Sequence, residues 1–222
     1  MSSKEWKTYK LGEITEFIGR GISPSYNETI GVVVVNQRCI REGNVTLTAS
    51  RYHDDRKKKI NEDKKLQKFD ILINSTGTGT LGRVAQFLFD DGVYTTDSHV
   101  TIVRPKTIAN SLFLSYYLKN KQAEIENLAE GSTGQTELPR KSVMNIDVDL
   151  PNKETQQRIA SILSSLDDKI ELNRQTNQTL ERIAQTLFQD MYLRVKTSFA
   201  PRCSPIRMQT PSYKKPNGQV SN

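Results

Sequence analysis

A chain of 222 residues has room for one large domain, or one domain with an appendage, built on a single good core. Hydrophobic residues make up 35%, charged residues 26%, and the formal net charge is +7. The average is polar, yet short apolar clusters recur along most of the chain, as in a soluble folded protein. The longest purely apolar run, Val32 to Val35, is far short of the roughly 20 residues a membrane span needs, and Met1 to Trp6 lacks the apolar stretch of a secretion signal. Cys39 and Cys203 are the only cysteines, too few for a disulfide framework or a cysteine zinc site, which fits a reducing cytoplasm and no membrane partner.

The positive charge is unevenly placed. Residues 1–150 hold 21 Lys/Arg against 19 Asp/Glu, residues 151–193 hold 5 against 6, and residues 194–222 hold 6 against none. Within the first segment, Arg51 to Lys68 gathers 8 basic against 4 acidic residues, including the run Arg56-Lys57-Lys58-Lys59. Such a run is either a solvated face or a contact for nucleic acid.

In chain order, short β-rich segments come first: Val32 to Asn36, Asp70 to Asn74, Arg83 to Phe89, Val100 to Val103 and Met144 to Asp149. Each is four to seven residues long and rich in β-branched or aromatic types, which predicts strands. Turn chemistry at Asp91-Gly92 and Arg104-Pro105 separates them. A helix is expected from about Ser111 to Leu128, with Leu112, Leu114, Tyr117, Leu118, Ile125 and Leu128 available to one face. These segments predict one α+β domain over residues 1–150 with a mixed, curved sheet.

After Leu150-Pro151 the pattern changes. Asn152 is suited to cap a helix, and no Gly or Pro follows until Pro201, so one helix of about 40 residues, roughly 60 Å long, is expected over residues 151–193. Ile159, Leu163, Leu166, Ile170, Asn173, Asn177, Leu180, Ala184, Leu187 and Met191 advance in alternating steps of four and three, the seam of a coiled coil. A domain of this size cannot cover such a seam, so a second long helix from another chain is expected beside it. Asn173 and Asn177 either set register with partner amides or mark a break between two shorter helices. Residues 194–222, basic and carrying four prolines from Thr197 onward, are expected to be disordered.

No self-contained active site is visible. Gly77-Thr78-Gly79-Thr80-Leu81-Gly82 has the spacing of a dinucleotide-binding turn. The following Arg83 to Phe89, however, alternates as a strand and supplies no crossover helix to hold a pyrophosphate, so a glycine-rich turn between strands is expected. His53-Asp54-Asp55 and Asp97-Ser98-His99 are the only histidine neighbourhoods and do not make a zinc site. A nucleophile elbow and a P-loop are both missing. What remains is a polar, donor-rich surface suited to reading nucleic acid. Its parts are Arg20, Ser23 and Tyr26 in a glycine-flanked loop, then Arg38 and Arg41, the cluster Lys57, Lys58 and Lys59, and Thr133, Gln135 and Thr136 in the run Ser132 to Thr136. Arg and Gln suit bidentate contacts to guanine and adenine edges, and Lys, Ser and Thr suit phosphates.

Several blocks in order carry a family resemblance. They are Trp6-Lys7 with Leu11-Gly12-Glu13-Ile14, Thr76 to Arg83, Gly131-Ser132-Thr133-Gly134-Gln135, Ile146 to Pro151, and the helix block Gln156-Gln157-Arg158-Ile159 through Leu166-Asp167-Asp168-Lys169-Ile170. Together they resemble the specificity subunit of type I restriction-modification enzymes. The resemblance implies a target recognition domain reading one half of a split DNA site. It also implies a long helix that spaces the domain and docks methyltransferase subunits, with restriction subunits joining them. This chain would then be non-catalytic and bind no cofactor, the partner methyltransferase using S-adenosylmethionine. Such subunits have two units in tandem, whereas here there is one, so the chain looks half-length and is expected to pair with itself or with another specificity half. The competing expectation is an interaction module that pairs through its helix without reading DNA.

Overall fold

The computed structural model describes residues 6–131 and 136–198, with side chains to Arg194. The strands are β1 (Lys7–Lys10), β2 (Thr15–Arg20), β3 (Tyr26–Asn27), β4 (Val32–Val35), β5 (Ile40–Arg41), β6 (Asn44–Val45), β7 (Arg51–His53), β8 (Ile71–Asn74), β9 (Val84–Gln86), β10 (Tyr94–Thr96) and β11 (Val100–Pro105). Helices α1 (Ser111–Asn120), α2 (Gln122–Asn127) and α3 (Arg140–Met144) follow, then β12 (Asp147–Leu150) and the long α4 (Lys153–Ser198). The α+β class expected from the sequence is the class observed. Two compact units meet between Asp168 and Lys169, so the opening turns of α4 belong to the first unit.

The β structure is divided among several sheets. A four-stranded antiparallel sheet runs β2-β11-β8-β9, and a mixed one runs β10-β4-β7-β3, with β10 and β4 parallel. β1 pairs with β12, and β5 with β6. The central strands β8 and β11 are buried on both faces. Side chains alternate across a strand, so Ile71, Ile73 and Val103 enter a core with Phe113, Leu114, Leu118 and Ile125 from the helices. Leu72 and Ile102 enter a second core with Val35, Ile40, Phe87 and Tyr94. The first unit is therefore layered as helices, antiparallel sheet, mixed sheet.

Four local outcomes differ from the sequence expectation. Arg104-Pro105, expected as a turn, lies at the end of β11, where both residues pair with β2 across an irregularity in the register. The helix expected from Ser111 to Leu128 breaks at Lys121 (φ −89, ψ 10), directly after Asn120, a residue type of low helix propensity. Met144 ends α3, and only Asp147–Leu150 of the expected strand pairs, opposite Lys7–Lys10. Ladder pairing of the segment Arg83 to Phe89 stops at Gln86; its continuation bonds the turn Gln67 to Asp70, where Phe87 accepts from Phe69 N–H (2.7 Å) and donates to Asp70 C=O (2.8 Å). Phe69 has φ 76 in that turn, a costly conformation for a residue with a Cβ. Asp70 holds the turn by accepting from Gln67 N–H (2.8 Å), and it receives two bonds from Arg104, at 2.9 and 2.8 Å.

Asn152 caps α4 as the sequence predicts, its Oδ1 accepting from Thr155 N–H (2.9 Å). The docking of that helix start rests on a buried glutamine. Gln156 donates from Nε2 to Pro151 C=O (2.9 Å) and Ile108 C=O (3.3 Å), and its Oε1 accepts from Asn110 N–H (2.7 Å). Asn110 in turn caps α1 through Phe113 N–H. About three turns further on, Asp167 accepts from the Tyr116 hydroxyl (2.7 Å). Gln156→Leu, which keeps the bulk and removes every bond, is expected to cost about 1–3 kcal/mol by leaving Asn110 N–H and two carbonyls unpaired. A lower urea midpoint at unchanged m-value would register it.

Candidate nucleic-acid interface

Antiparallel pairing brings the end of β2, the start of β11, the end of β8 and the start of β9 to one end of the sheet. Loops from distant parts of the chain converge there. Gly21 N–H bonds Val100 C=O (3.1 Å), Ile22 N–H bonds Thr96 C=O (2.9 Å), and Ser75 N–H bonds His99 C=O (2.8 Å). A Cβ on Gly21 would stand 2.1 Å from Thr96 O, so only glycine lets the β2 loop lie this close to the end of β10.

The glycine-rich segment is the connection between β8 and β9, as expected, and not a cofactor turn. Gly77, Gly79 and Gly82 all have positive φ (104, 71 and 79), conformations that glycine adopts without steric cost. Thr76 shares a hydrogen bond with His99 Nδ1 (2.7 Å). Asn74 Nδ2 donates to Gln37 C=O (3.0 Å), which ties the turn carrying Arg38 to the same end. Glu130 and Glu137 pair through two backbone bonds, both 2.8 Å, and Glu137 bridges to Thr76. Thr136 is exposed there and lines an open cleft with Gly77, Thr78, Gly79, Leu81 and Glu126. Thr133 and Gln135 lie outside the described residues, as does the tail beyond Ser198.

The remaining candidates divide into brackets and free donors. Arg20 is a bracket: it pairs with Glu137 (2.8 Å) and donates to Leu138 C=O (3.0 Å). Arg41 Nε donates to Arg38 C=O (3.2 Å), and both side chains are exposed. Exposed Ser23 accepts through its carbonyl from Lys58 Nζ (3.0 Å). Lys57 sits 3.9 Å from Asp54 with its side chain 71% exposed, and Lys59 is exposed as well. Tyr26 lies against Arg51, and burial, the largest influence on it, pushes its hydroxyl above the usual tyrosine range.

Sequence reasoning passed over Arg51, Lys64, His99 and the organising role of His53. Lys64 Nζ donates to Gly21 C=O (2.8 Å). Fully buried His53 accepts from Ser25 N–H at Nδ1 (2.9 Å), so its other nitrogen, 2.7 Å from Lys58 C=O, is the donor. It thereby clips the Ser23 to Tyr26 loop to the basic turn. The sequence showed the histidine and the lysines five residues apart without showing that the ring joins them. Asp97, also buried, accepts from His99 N–H (3.0 Å). Burial pushes its carboxyl above the usual range, with that bond opposing. Among the described residues no cluster of His, Cys, Asp and Glu is gathered to hold a metal ion, and no helix is long and apolar enough to cross a membrane.

Along α4, Ile159 packs onto the domain core and Leu163 is half-buried. Leu166, Ile170, Leu180 and Leu187 are 53%, 50%, 57% and 60% exposed, and Asn173 and Asn177 are exposed. The seam open to a partner thus starts at Leu166. Off the seam, Leu172, Ile183, Phe188 and Tyr192 are exposed too.

The family model of the type I restriction modification DNA specificity domain matches residues 3–182. The chain belongs to that family. It is 30% identical over 196 residues to the type I restriction enzyme HindI specificity subunit of Haemophilus influenzae, covering 85% of this chain and 41% of that protein. The MjaIX specificity subunit of Methanocaldococcus jannaschii is 35% identical over 101 residues, or 45% of this chain and 23% of that one. A chain solved in work on assembly and conformational transition of the type I R-M system has the same fold, with TM-score 0.62 and 18% identity over 86% of this chain and 45% of its own. The HsdS subunit from Thermoanaerobacter tengcongensis aligns with TM-score 0.53 and 17% identity, over 77% and 39% respectively. The specificity chain described here therefore spans less than half the length of these relatives. Specificity chains of this family are non-catalytic.

In this specificity domain His53→Ala is expected to cost about 2–4 kcal/mol, through a cavity and two unpaired backbone groups. Faster amide exchange at Ser25 than in the wild type would place the loss at the clip rather than elsewhere in the core.

Proposed function

We propose that this chain is a sequence-specific DNA-binding specificity subunit that directs methyltransferase and restriction subunits to a bipartite site on double-stranded DNA in the cytoplasm. Residues 1–150 are its target recognition domain, 151–193 its spacer and dimerisation helix, and 194–222 a basic tail. The observation that carries this reading is the convergence of Arg20 to Ser23, Arg38, Gly77 to Gly82, His99 and the Glu130–Glu137 pair at one sheet end. Loops held at one end of a rigid sheet are where a scaffold presents binding residues. Lys57, Lys58 and Lys59 serve phosphates, and exposed Arg38 and Arg41, with Gln135 and Thr136, serve base edges or phosphates.

The full-length protein is expected to select a defined duplex from a randomised pool. Neutralising Lys57, Lys58 and Lys59 together should weaken every duplex alike and shallow the log-log salt dependence by roughly 0.9 per lost phosphate contact. An unchanged slope would return the cluster to a solvated face. Selection of no sequence by a chain that still pairs through its helix would favour the interaction module instead.

The exposed seam from Leu166 supports pairing through α4. The wild type is expected to self-associate at micromolar concentration, and a Leu166→Glu, Leu187→Glu variant to sediment as a folded monomer. Two copies joined antiparallel about Asn173 and Asn177 would mirror their symmetry in the DNA. Modified-base sequencing with methyltransferase subunits supplied and no second specificity chain should then reveal an interrupted palindrome methylated on both strands. An asymmetric motif would mean that a different second half completes the site.

A further inference from the structure

Strand register puts an arginine and a tyrosine of the mixed sheet on one face. Tyr26 of β3 stands opposite His53 of β7, and Arg51 lies two residues before His53 on the same strand. Opposed residues share a face, and alternate residues along a strand do too. Tyr26, His53 and Arg51 therefore point the same way. His53 is buried, whereas Tyr26 and Arg51, toward the sheet edge at β3, are exposed. The Arg51 guanidinium carbon lies 3.4 Å from the centre of the Tyr26 ring, which is van der Waals contact with the ring face.

Four other arginines of this region spend at least one donor inside the protein, and exposed Arg38 and Arg56 are held on no aromatic ring among the described residues. Arg20 bonds Glu137 and Leu138, Arg83 bonds Gly79 and Ile40, Arg104 bonds Asp70, and Arg41 bonds Arg38. Arg51 has Tyr26 as its partner, and no carboxylate or carbonyl among the described residues takes its N–H groups. Stacking on an aromatic face restrains the side chain and leaves the planar edge of donors free. The adjoining turn already carries Lys57, Lys58 and Lys59, and a phosphate asks only for charge of that kind. A restrained planar fork matches a planar pair of acceptors, and guanine N7 and O6 in the major groove are such a pair.

Resting on the DNA-reading function proposed above, we propose that Arg51, held on the Tyr26 ring, reads one guanine of the half-site through its N7 and O6. Tyr26 is a positioning residue for that contact. The arrangement makes Arg51 a determinant of specificity, with the lysine turn beside it acting on the backbone.

The test starts from the duplex that the full-length protein selects from a randomised pool. Each guanine of that duplex is replaced singly by 7-deazaguanine, which carries C–H in place of N7. One replacement is expected to weaken wild-type binding about tenfold to a hundredfold. The same replacement should leave Arg51→Met, which keeps the length and removes both charge and fork, unaffected. Repeated selection with Arg51→Met or Tyr26→Ala should relax preference at that position alone, and Tyr26→Phe should retain it. If Arg51→Met weakens all duplexes alike and the preference stands, Arg51 is a phosphate contact and the proposal is wrong. A selected motif in which no guanine responds to the base analogue overturns it equally, while leaving DNA reading intact. Selection of no sequence by the wild type would overturn the DNA-reading function itself, and this assignment with it.

Discussion

Burial of β8 and β11 on both faces is the constraint on which the rest of the molecule depends. A strand with one wet face would need one layer to cover it; these need two, and the chain supplies helices on one side and the mixed sheet on the other. Large apolar side chains fully removed from water on both faces, such as Leu72, Ile73 and Ile102, stabilise by about 1.5–3 kcal/mol each before entropy is counted. A one-residue slip of β8 would exchange its two sets of partners, so the register is strongly specified. Because that register is specified, the loops leaving one end of the sheet are held near one another, although they come from residues 20, 75, 99 and 137.

Buried polar groups hold segments that apolar packing alone would leave free to slide. Gln156 joins the start of α4 to the α1 cap, His53 joins the Ser25 loop to the basic turn, and Arg104 with Asp70 fixes the turn containing strained Phe69. Each satisfies several hydrogen bonds at defined angles, which an apolar contact of equal area does not demand. For Asp70, burial pushes the carboxyl above its usual range against the pull of Arg104. Removing either partner would leave the other buried and unpaired, so the pair fixes the geometry of the turn. All three clips involve residues separated by many positions in the chain or facing across layers, and they divide the arginines into those that hold structure and those left to meet a ligand.

The candidate site was legible in part. The basic run, the glycine-rich connection and the Gly131 to Thr136 segment announce themselves by composition and turn chemistry, and the glycine turn has the conformation that its residues predict. Arg20 illustrates what was not legible: it has the residue type of a base reader but is spent on Glu137 and Leu138. Arg51 illustrates the reverse. It counted only as one charge in a basic run, because its significance arises from a diagonal neighbour on another strand. On α4 the seam spacing was readable throughout, yet Ile159 is turned onto its own domain, which a heptad pattern does not reveal.

By itself the sequence determined the local and periodic features. These are the α+β class, the helix start capped by Asn152, the seam spacing along α4, and the family blocks that residues 3–182 match. These follow from near-neighbour chemistry, in which spacing of 3.6 or 2 residues and a capping side chain suffice. Only the tertiary structure decided which strands pair, that β8 and β11 are sandwiched between two layers, which arginines are consumed as brackets, and that Arg51 stands on Tyr26. Those outcomes are set by contacts between residues far apart in the chain, whose free energy depends on burial and geometry that no short window of sequence contains.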